Sequence, residues 1–223
     1  MPIKVKNIEL KKLEIPFRIS FKHAAKERVV TETVIAVAQS DGETCLSGYG
    51  EGCPRSYVTG ETVESAATFL YTHLNTISKI DRVESLLRWV TKHVADIDNN
   101  PAAWCAIEMA LLDLFAKTQK VSVEALLGFP EVYGQFLYSA VLGVSTPSIF
   151  QTQLAEYLSL GMTDFKVKVS GDYALDKSNF NRIINAIPNA RIRLDANNLW
   201  NNTNEAIEYI LSLGIKFWQL KNH

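Results

Sequence analysis

The feature that most constrains the fold is a change of rhythm near Tyr133. Beyond it, apolar runs of about five residues alternate with amphipathic stretches of about a dozen. Residues 136–144, 165–169, 191–195 and 215–220 read as strands, and residues 147–160, 173–186 and 203–213 as helices. Strand, helix and strand in regular succession predict parallel βαβ units with right-handed crossovers. An open flavodoxin-like sheet would give the same alternation. However, the βα turns carry no Gly-x-Gly-x-x-Gly phosphate loop, which argues against a nucleotide site.

The residues before this point follow a different plan. Residues 3–15 alternate in character, 31–39 are rich in β-branched side chains, and 44–51 return after the turn Ser40-Asp41-Gly42-Glu43. They predict a β-meander. Between its first two strands, the polar and basic residues 18–28 read as a mobile loop. Helices are expected over 63–74 and 82–94. A longer one starts at Asn100, the expected N-cap, with Pro101 in the first position. This third helix is apolar almost all round and should be buried between layers. A short helix over 123–129 ends at Gly128. The expected organisation is an α+β domain over 1–130 and a βα domain over 131–223.

Composition narrows the class. Hydrophobic residues make up 47%, charged residues 21%, and the net charge is −1. That balance suits a soluble core and gives no reason to expect nucleic acid or an acidic membrane as partner. No apolar run approaches the roughly 18 residues that span a bilayer. The first residues alternate apolar and charged side chains without a signal-peptide core, so a cytoplasmic location is expected. Cys45, Cys53 and Cys105 fit neither a zinc spacing nor a disulfide framework, and read as small core or near-surface thiols.

Two clusters carry chemistry, each at the C-terminal end of an expected strand, where βα units place reactive groups. In Phe165-Lys166-Val167-Lys168-Val169, the period of two puts Lys166 and Lys168 on one face. Two ammonium groups there are costly unless something needs them. Crowding and desolvation favour the neutral amine, which can remove a proton at neutral pH. A solvated edge face would explain the pair equally. In Ile192-Arg193-Leu194-Asp195-Ala196-Asn197, Asp195 stands at the next strand tip with Asn197 two residues on. The carboxylate suits Mg2+ as a hard oxygen ligand, and an Asx turn or helix cap is the alternative. Taken together, a lysine base and a divalent ion at Asp195 would support proton removal next to a carboxylate.

These segments resemble the second- and third-strand motifs of the muconate-lactonizing and dipeptide-epimerase branch of the enolase superfamily. Gly48-Tyr-Gly-Glu-Gly-Cys-Pro-Arg resembles the cap stretch leading to a substrate-facing loop, and Ala102 to Leu114 the helix before the barrel. The resemblance implies an α+β cap followed by the first three to four βα units of a (β/α)8 TIM-type barrel. It implies Lys168 as acid/base, Lys166 as the partner of the substrate carboxylate and of Lys168, and Asp195 as first ligand of Mg2+, with Asn197 beside it. The loop around Phe21, Lys22 and His23 would close over the substrate, although His23 reads equally as a solvated loop residue.

The implied activity is racemisation or epimerisation of an amino-acid derivative, a dipeptide or an N-acyl amino acid. A homo-oligomer is compatible with the resemblance. The family also holds o-succinylbenzoate synthase and muconate-type cycloisomerases, which share the same residues. A non-catalytic, partner-binding fragment is the alternative from another class. Val141 stands where Ala-Glu epimerases place a threonine, which argues against that specificity.

After Leu220 the family pattern would continue Glu-Glu-Pro, where this chain reads Lys221-Asn222-His223. Loss of the first base from GAA-GAA-CCA leaves AAG-AAC-CA, which reads Lys-Asn-His when the next base is C or T, so a shifted reading frame is expected, with a natural short form as the alternative. The expectation that follows is an incomplete Mg2+ site and a chain inactive and aggregation-prone by itself.

Overall fold

The computed structural model describes residues 2–23, 26–41 and 45–214. The chain forms two compact units, one of residues 1–17 and 30–133, the other of residues 18–29 and 134–223.

In the first unit, β1 (Val5–Leu13), β4 (Thr33–Ser40) and β5 (Ser47–Gly52) form an antiparallel sheet in the order β1-β4-β5. The central strand, Thr-Val-Ile-Ala-Val-Ala-Gln-Ser, is mostly β-branched or small and is buried along nearly its whole length. Helices α1 (Val63–Ile77), α2 (Val83–Lys92), α3 (Val94–Asn99) and α4 (Pro101–Gln119) follow, then the single turn α5 (Val123–Leu126). Helix α1 starts in a reciprocal cap: Thr62 Oγ1 accepts from the Ser65 N–H and Ser65 Oγ from the Thr62 N–H.

The sheet and α4 meet through small residues. Across the register, Ala36 pairs with Gly50, Ala38 with Gly48 and Val34 with Gly52, which puts all six on one face. A Cβ added at Gly48, Gly50 or Gly52 would lie 2.1 Å from the carbonyl oxygen of Ala110, Ala106 or Ala102 respectively. The match follows from repeat lengths. Two strand residues advance about 6.7 Å and four helix residues about 6 Å, so alternate glycines keep pace with every fourth helix residue. Helix α4 therefore lies on the sheet backbone itself. Its Ala103, Ala106, Ile107, Ala110, Leu111, Leu114 and Phe115 are buried. Cys105 and Met109 stay exposed, so the helix is not covered all round.

The start of α4 also departs from expectation. Asn100 occupies the N-cap position, but its side chain donates to the Asp96 carbonyl. The cap comes from Glu61, buried at 2% exposure, which accepts from the Ala102 and Ala103 N–H groups at 2.8 and 2.9 Å. A carboxylate at a helix N-terminus satisfies orphan donors and complements the dipole. The helix expected over 82–94 is broken at His93, whose φ of −116° and ψ of 24° leave the helical region and separate α2 from α3.

Residues expected as a mobile loop form instead a two-stranded ribbon, β2 (Pro16–His23) and β3 (Lys26–Val30). Its base is closed by the Thr31 N–H donating to the Ile15 carbonyl and the Ile15 N–H to Thr31 Oγ1. The signal was the alternation Phe17, Ile19, Phe21, obscured by the polar Arg18 and Ser20 between them and by Lys22 after them.

In the second unit, β6 (Ala140–Leu142), β7 (Asp164–Lys168) and β8 (Arg191–Asp195) form a parallel sheet in chain order. Helices α6 (Pro147–Ser159), α7 (Tyr173–Ala186) and α8 (Thr203–Ser212) connect and follow them. Phe150 and Leu154 of α6 and Phe180 and Ile183 of α7 bury the face formed by Ala140, Leu142, Phe165, Val167 and Ile192. Strand β6 is shorter than expected. It pairs only over the three residues facing Phe165, Lys166 and Val167, and Phe136, Leu137 and Tyr138 before it are exposed. Apolar character there was not evidence of a ladder partner. The strand expected over 215–220, and Lys221 to His223, lie outside the described residues.

Candidate active site

The register of β6, β7 and β8 decides which side chains share a face. Val141 is opposite Lys166, Lys166 opposite Arg193, and Lys168 opposite Asp195. Their apolar neighbours point into the helix layer, so these polar residues occupy the face away from the helices. Lys166 Nζ lies 2.8 Å and Lys168 Nζ 3.8 Å from Asp195 Oδ2. Lys168 Nζ also donates to Asn197 Oδ1 at 3.3 Å. Lys166, Lys168, Asp195 and Asn197 are thus brought together at the C-terminal ends of β7 and β8. Lys168 is the more buried lysine, its side chain 8% exposed against 35% for Lys166.

Asp195 serves two structural roles at once. Its Oδ1 accepts from the Asn197 N–H at 3.1 Å, an Asx turn, while its Oδ2 meets the lysines. Asn197 and Asn198 both take left-handed backbone, with φ of 46° and 62°, which asparagine tolerates better than most residues. Burial pushes the Asp195 carboxyl up. The hydrogen bonds from Lys166 and the Asn197 N–H, with the charges of Lys166 and Lys168, outweigh burial and hold it below the usual carboxylate range.

Behind the site, Asp176 on α7 is 2% exposed and ties the turn after β7 in place. It accepts from the Ser170 N–H and Oγ, the Gly171 N–H, and the Tyr209 hydroxyl of α8 at 2.7 Å. Burial, and then the bond to Asp176, push the Tyr209 phenol well up. Asp172 caps α7 by accepting from the Leu175 N–H. A cleft of about 850 Å3 opens beside the strand ends, lined among others by Lys166, Arg193, Asp195, Asn197 and Trp200. Arg193 Nε is buried and has no hydrogen-bond partner among the described residues. Sequence reasoning missed Arg193, although it stands two residues before Asp195 and so shares its face. It also missed Asp176, for which one helix position offered no signal. His23 ends β2, and its side chain lies outside the described residues.

Residues 3–128 match the family model of the mandelate racemase / muconate lactonizing enzyme N-terminal domain. The chain belongs to this family, within the enolase superfamily. It is 26% identical over 201 residues to a hydrophobic dipeptide epimerase of Enterococcus faecalis, covering 89% of this chain and 55% of that protein. Among solved structures, the dipeptide epimerase of Methylococcus capsulatus, complexed with Mg and the dipeptide L-Arg-D-Lys, superposes with a TM-score of 0.79 at 24% identity. The match covers 96% of this chain and 60% of that one. A substrate-liganded L-Ala-D/L-Glu epimerase of Bacillus subtilis gives a TM-score of 0.75 at 25% identity, over 95% and 58% of the two chains. The fold is therefore the expected one, an α+β cap followed by the first βα units of the barrel. The chain spans about half the length of the curated relatives it matches. No helix of the described residues is long and apolar enough to cross a membrane.

Proposed function

We propose that this chain carries the proton-transfer and metal-anchoring corner of a racemase or epimerase acting on a dipeptide or N-acyl amino acid. The observation that carries the reading is the meeting of Lys166, Lys168 and Asp195 at two adjacent strand ends. Its support is family membership and the dipeptide epimerases among the relatives.

Lys168 is the proton acceptor. Its nitrogen is withdrawn from bulk water, and its contact with Asp195 is the looser of the two. It takes the α-proton of the substrate: the C–H bond breaks, an N–H bond forms, and the electron pair moves toward the adjacent carboxylate. Lys166 and Arg193, which both line the cleft, supply positive charge to that carboxylate. Inversion requires a proton delivered to the opposite face, which falls to a residue outside this corner. His23 is proposed as a further substrate contact.

The donor set fits a hard divalent ion. The Asp195 carboxylate is oriented by the Asn197 N–H, and its charge is now balanced by lysine. Asp195 would hold Mg2+, which supplies charge to the reacting carboxylate when bound. Lys166 would then be released from Asp195 to the substrate.

The test combines Mg2+ calorimetry on the 223-residue chain with NMR of α-proton exchange in deuterated water using dipeptides, each run on the intact chain first. With the Mg2+ site incomplete, weak binding and little exchange are expected of it alone, and full signals only where a further chain supplies the remaining groups. Asp195→Ala should abolish Mg2+ binding, and Lys168→Ala should abolish exchange. Mg2+ binding of equal strength in Asp195→Ala, or exchange that survives Lys168→Ala, would overturn the reading.

A further inference from the structure

The cap unit holds a second cluster of ligating side chains, independent of the lysine and aspartate corner. His73 lies on α1, His93 at the break between α2 and α3, and Asp96 in the first turn of α3. Asp96 Oδ2 is 3.6 Å from His73 Nε2 and 3.3 Å from His93 Nδ1, and the three donor atoms lie within 4.8 Å of one another. We propose that His73, His93 and Asp96 form a binding site for a transition-metal dication, with Zn2+ the best match, that fastens α1 to the α2–α3 junction.

The distances suit the ion. Zinc bonds of about 2.0–2.2 Å to imidazole nitrogen and carboxylate oxygen in a tetrahedron put donor atoms roughly 3.4 Å apart. The two contacts to Asp96 are already at this spacing. The histidine nitrogens need to close by no more than about 1.4 Å, within reach of side-chain rotation. The donor chemistry selects the metal. Two imidazoles and one carboxylate suit Zn2+, and are a poor match for the all-oxygen demand of Mg2+. Three protein ligands leave a fourth position for water or an incoming group.

The rings are also held in place before any ion arrives. The His93 ring stacks on Trp89 at 4.2 Å between centroids, and Trp89 stacks on Trp104 at 4.5 Å. His73 packs against Phe69 at 4.8 Å and meets His93 at 5.1 Å. The two histidine side chains are 14% and 16% exposed, while Asp96 is 53% exposed and opens the cluster to solvent. Fixing both imidazoles against an aromatic wall lowers the ordering cost of binding. The break of the helix at His93 thereby acquires a use: it turns that imidazole toward the carboxylate three residues on.

The experiment uses the chelator-treated 223-residue chain under reducing conditions. Zn2+ is titrated by calorimetry, and Co2+ in parallel, whose absorption spectrum reports its ligands. One saturable site is expected, weakened about tenfold or more in both Asp96→Asn and His73→Gln and retained in Cys53→Ser. Asp96 is half-exposed, so Asp96→Asn should keep the fold, checked by circular dichroism. The Co2+ spectrum should lack the near-ultraviolet charge-transfer band of a thiolate ligand. Absence of saturable binding, affinity in either ligand variant equal to that of the intact chain, or a thiolate band would overturn the proposal.

Discussion

Replacing Gly50 by alanine should unfold the cap far more readily than its size suggests. The added Cβ would sit 2.1 Å from the Ala106 carbonyl oxygen, 2.7 Å from the Ala110 nitrogen and 2.8 Å from the Met109 Cβ. An ordinary carbon–oxygen contact is about 3.3 Å or more, so α4 must retreat by roughly 1 Å. It cannot pivot around a single point without disturbing the flanking contacts, because Gly48 and Gly52 hold it equally close on either side. Two of the three nearest atoms are backbone, which no rotamer change relieves. A radial gap of 0.5–1 Å forfeits about a quarter to a half of each dispersion contact. Added to the usual overpacking cost of about 1–3 kcal/mol, the loss should reach about 4 kcal/mol, a large share of a typical domain's stability.

Hydrogen exchange measured on peptides from residues 101–119, with a urea titration, isolates the cap from the second unit. Gly60→Ala is the control. Its φ is 78° and nothing lies within 4 Å, so only the strain of left-handed backbone remains, about 1–2 kcal/mol. If Gly50→Ala proves no worse than Gly60→Ala, the helix has slack against the sheet and the close-approach argument fails.

Three further outcomes follow from the same reasoning. Asp176→Ala strips buried and half-buried donors of their acceptor and should cost the second unit about 3–5 kcal/mol, with Asp176→Asn costing less and Tyr209→Phe about 1.5–3 kcal/mol, read from urea midpoints. A shift below 1 kcal/mol in Asp176→Ala would contradict the network. Glu61→Ala uncovers two N–H groups at the start of α4 and should cost about 2 kcal/mol, with faster exchange at Ala102 and Ala103 as the specific sign. Asp195 has its carboxyl held low in the folded chain, so its contribution to stability is fully present above the unfolded value near 3.9 and is lost as pH falls through the lower folded value. Carbon NMR should find its titration midpoint below the usual range and find it raised in Lys166→Met; an ordinary midpoint in the intact chain would refute the ion pair as drawn.

Much of this was legible because periodicity is a local property. The period of two in Phe165 to Val169 and Arg191 to Asp195 announced both strands and placed Lys166, Lys168 and Asp195 on shared faces. The structure returns 191–195 as β8 and 173–186 as α7, with the bounds read from sequence. Pro101 marked the start of α4 for an equally local reason, its fixed φ and missing N–H.

The remainder depended on residues distant in the chain. Nothing in Glu61 itself says that its carboxylate caps a helix 41 positions on. Asp176 becomes a hub only when β7, its following turn and α8 converge. His73 on α1 and His93 at the break between α2 and α3 carry no local signal until packing on Trp89 sets them around Asp96. The amino-acid sequence alone determined most of the elements, their order and which face of β7 and β8 carries charge, because backbone geometry couples those to nearest neighbours; it did not announce the β2–β3 ribbon or the break at His93. Only the tertiary structure decided why three alternate glycines are required and which polar groups meet, because close approach and hydrogen-bond partners exist only between elements that packing has brought together.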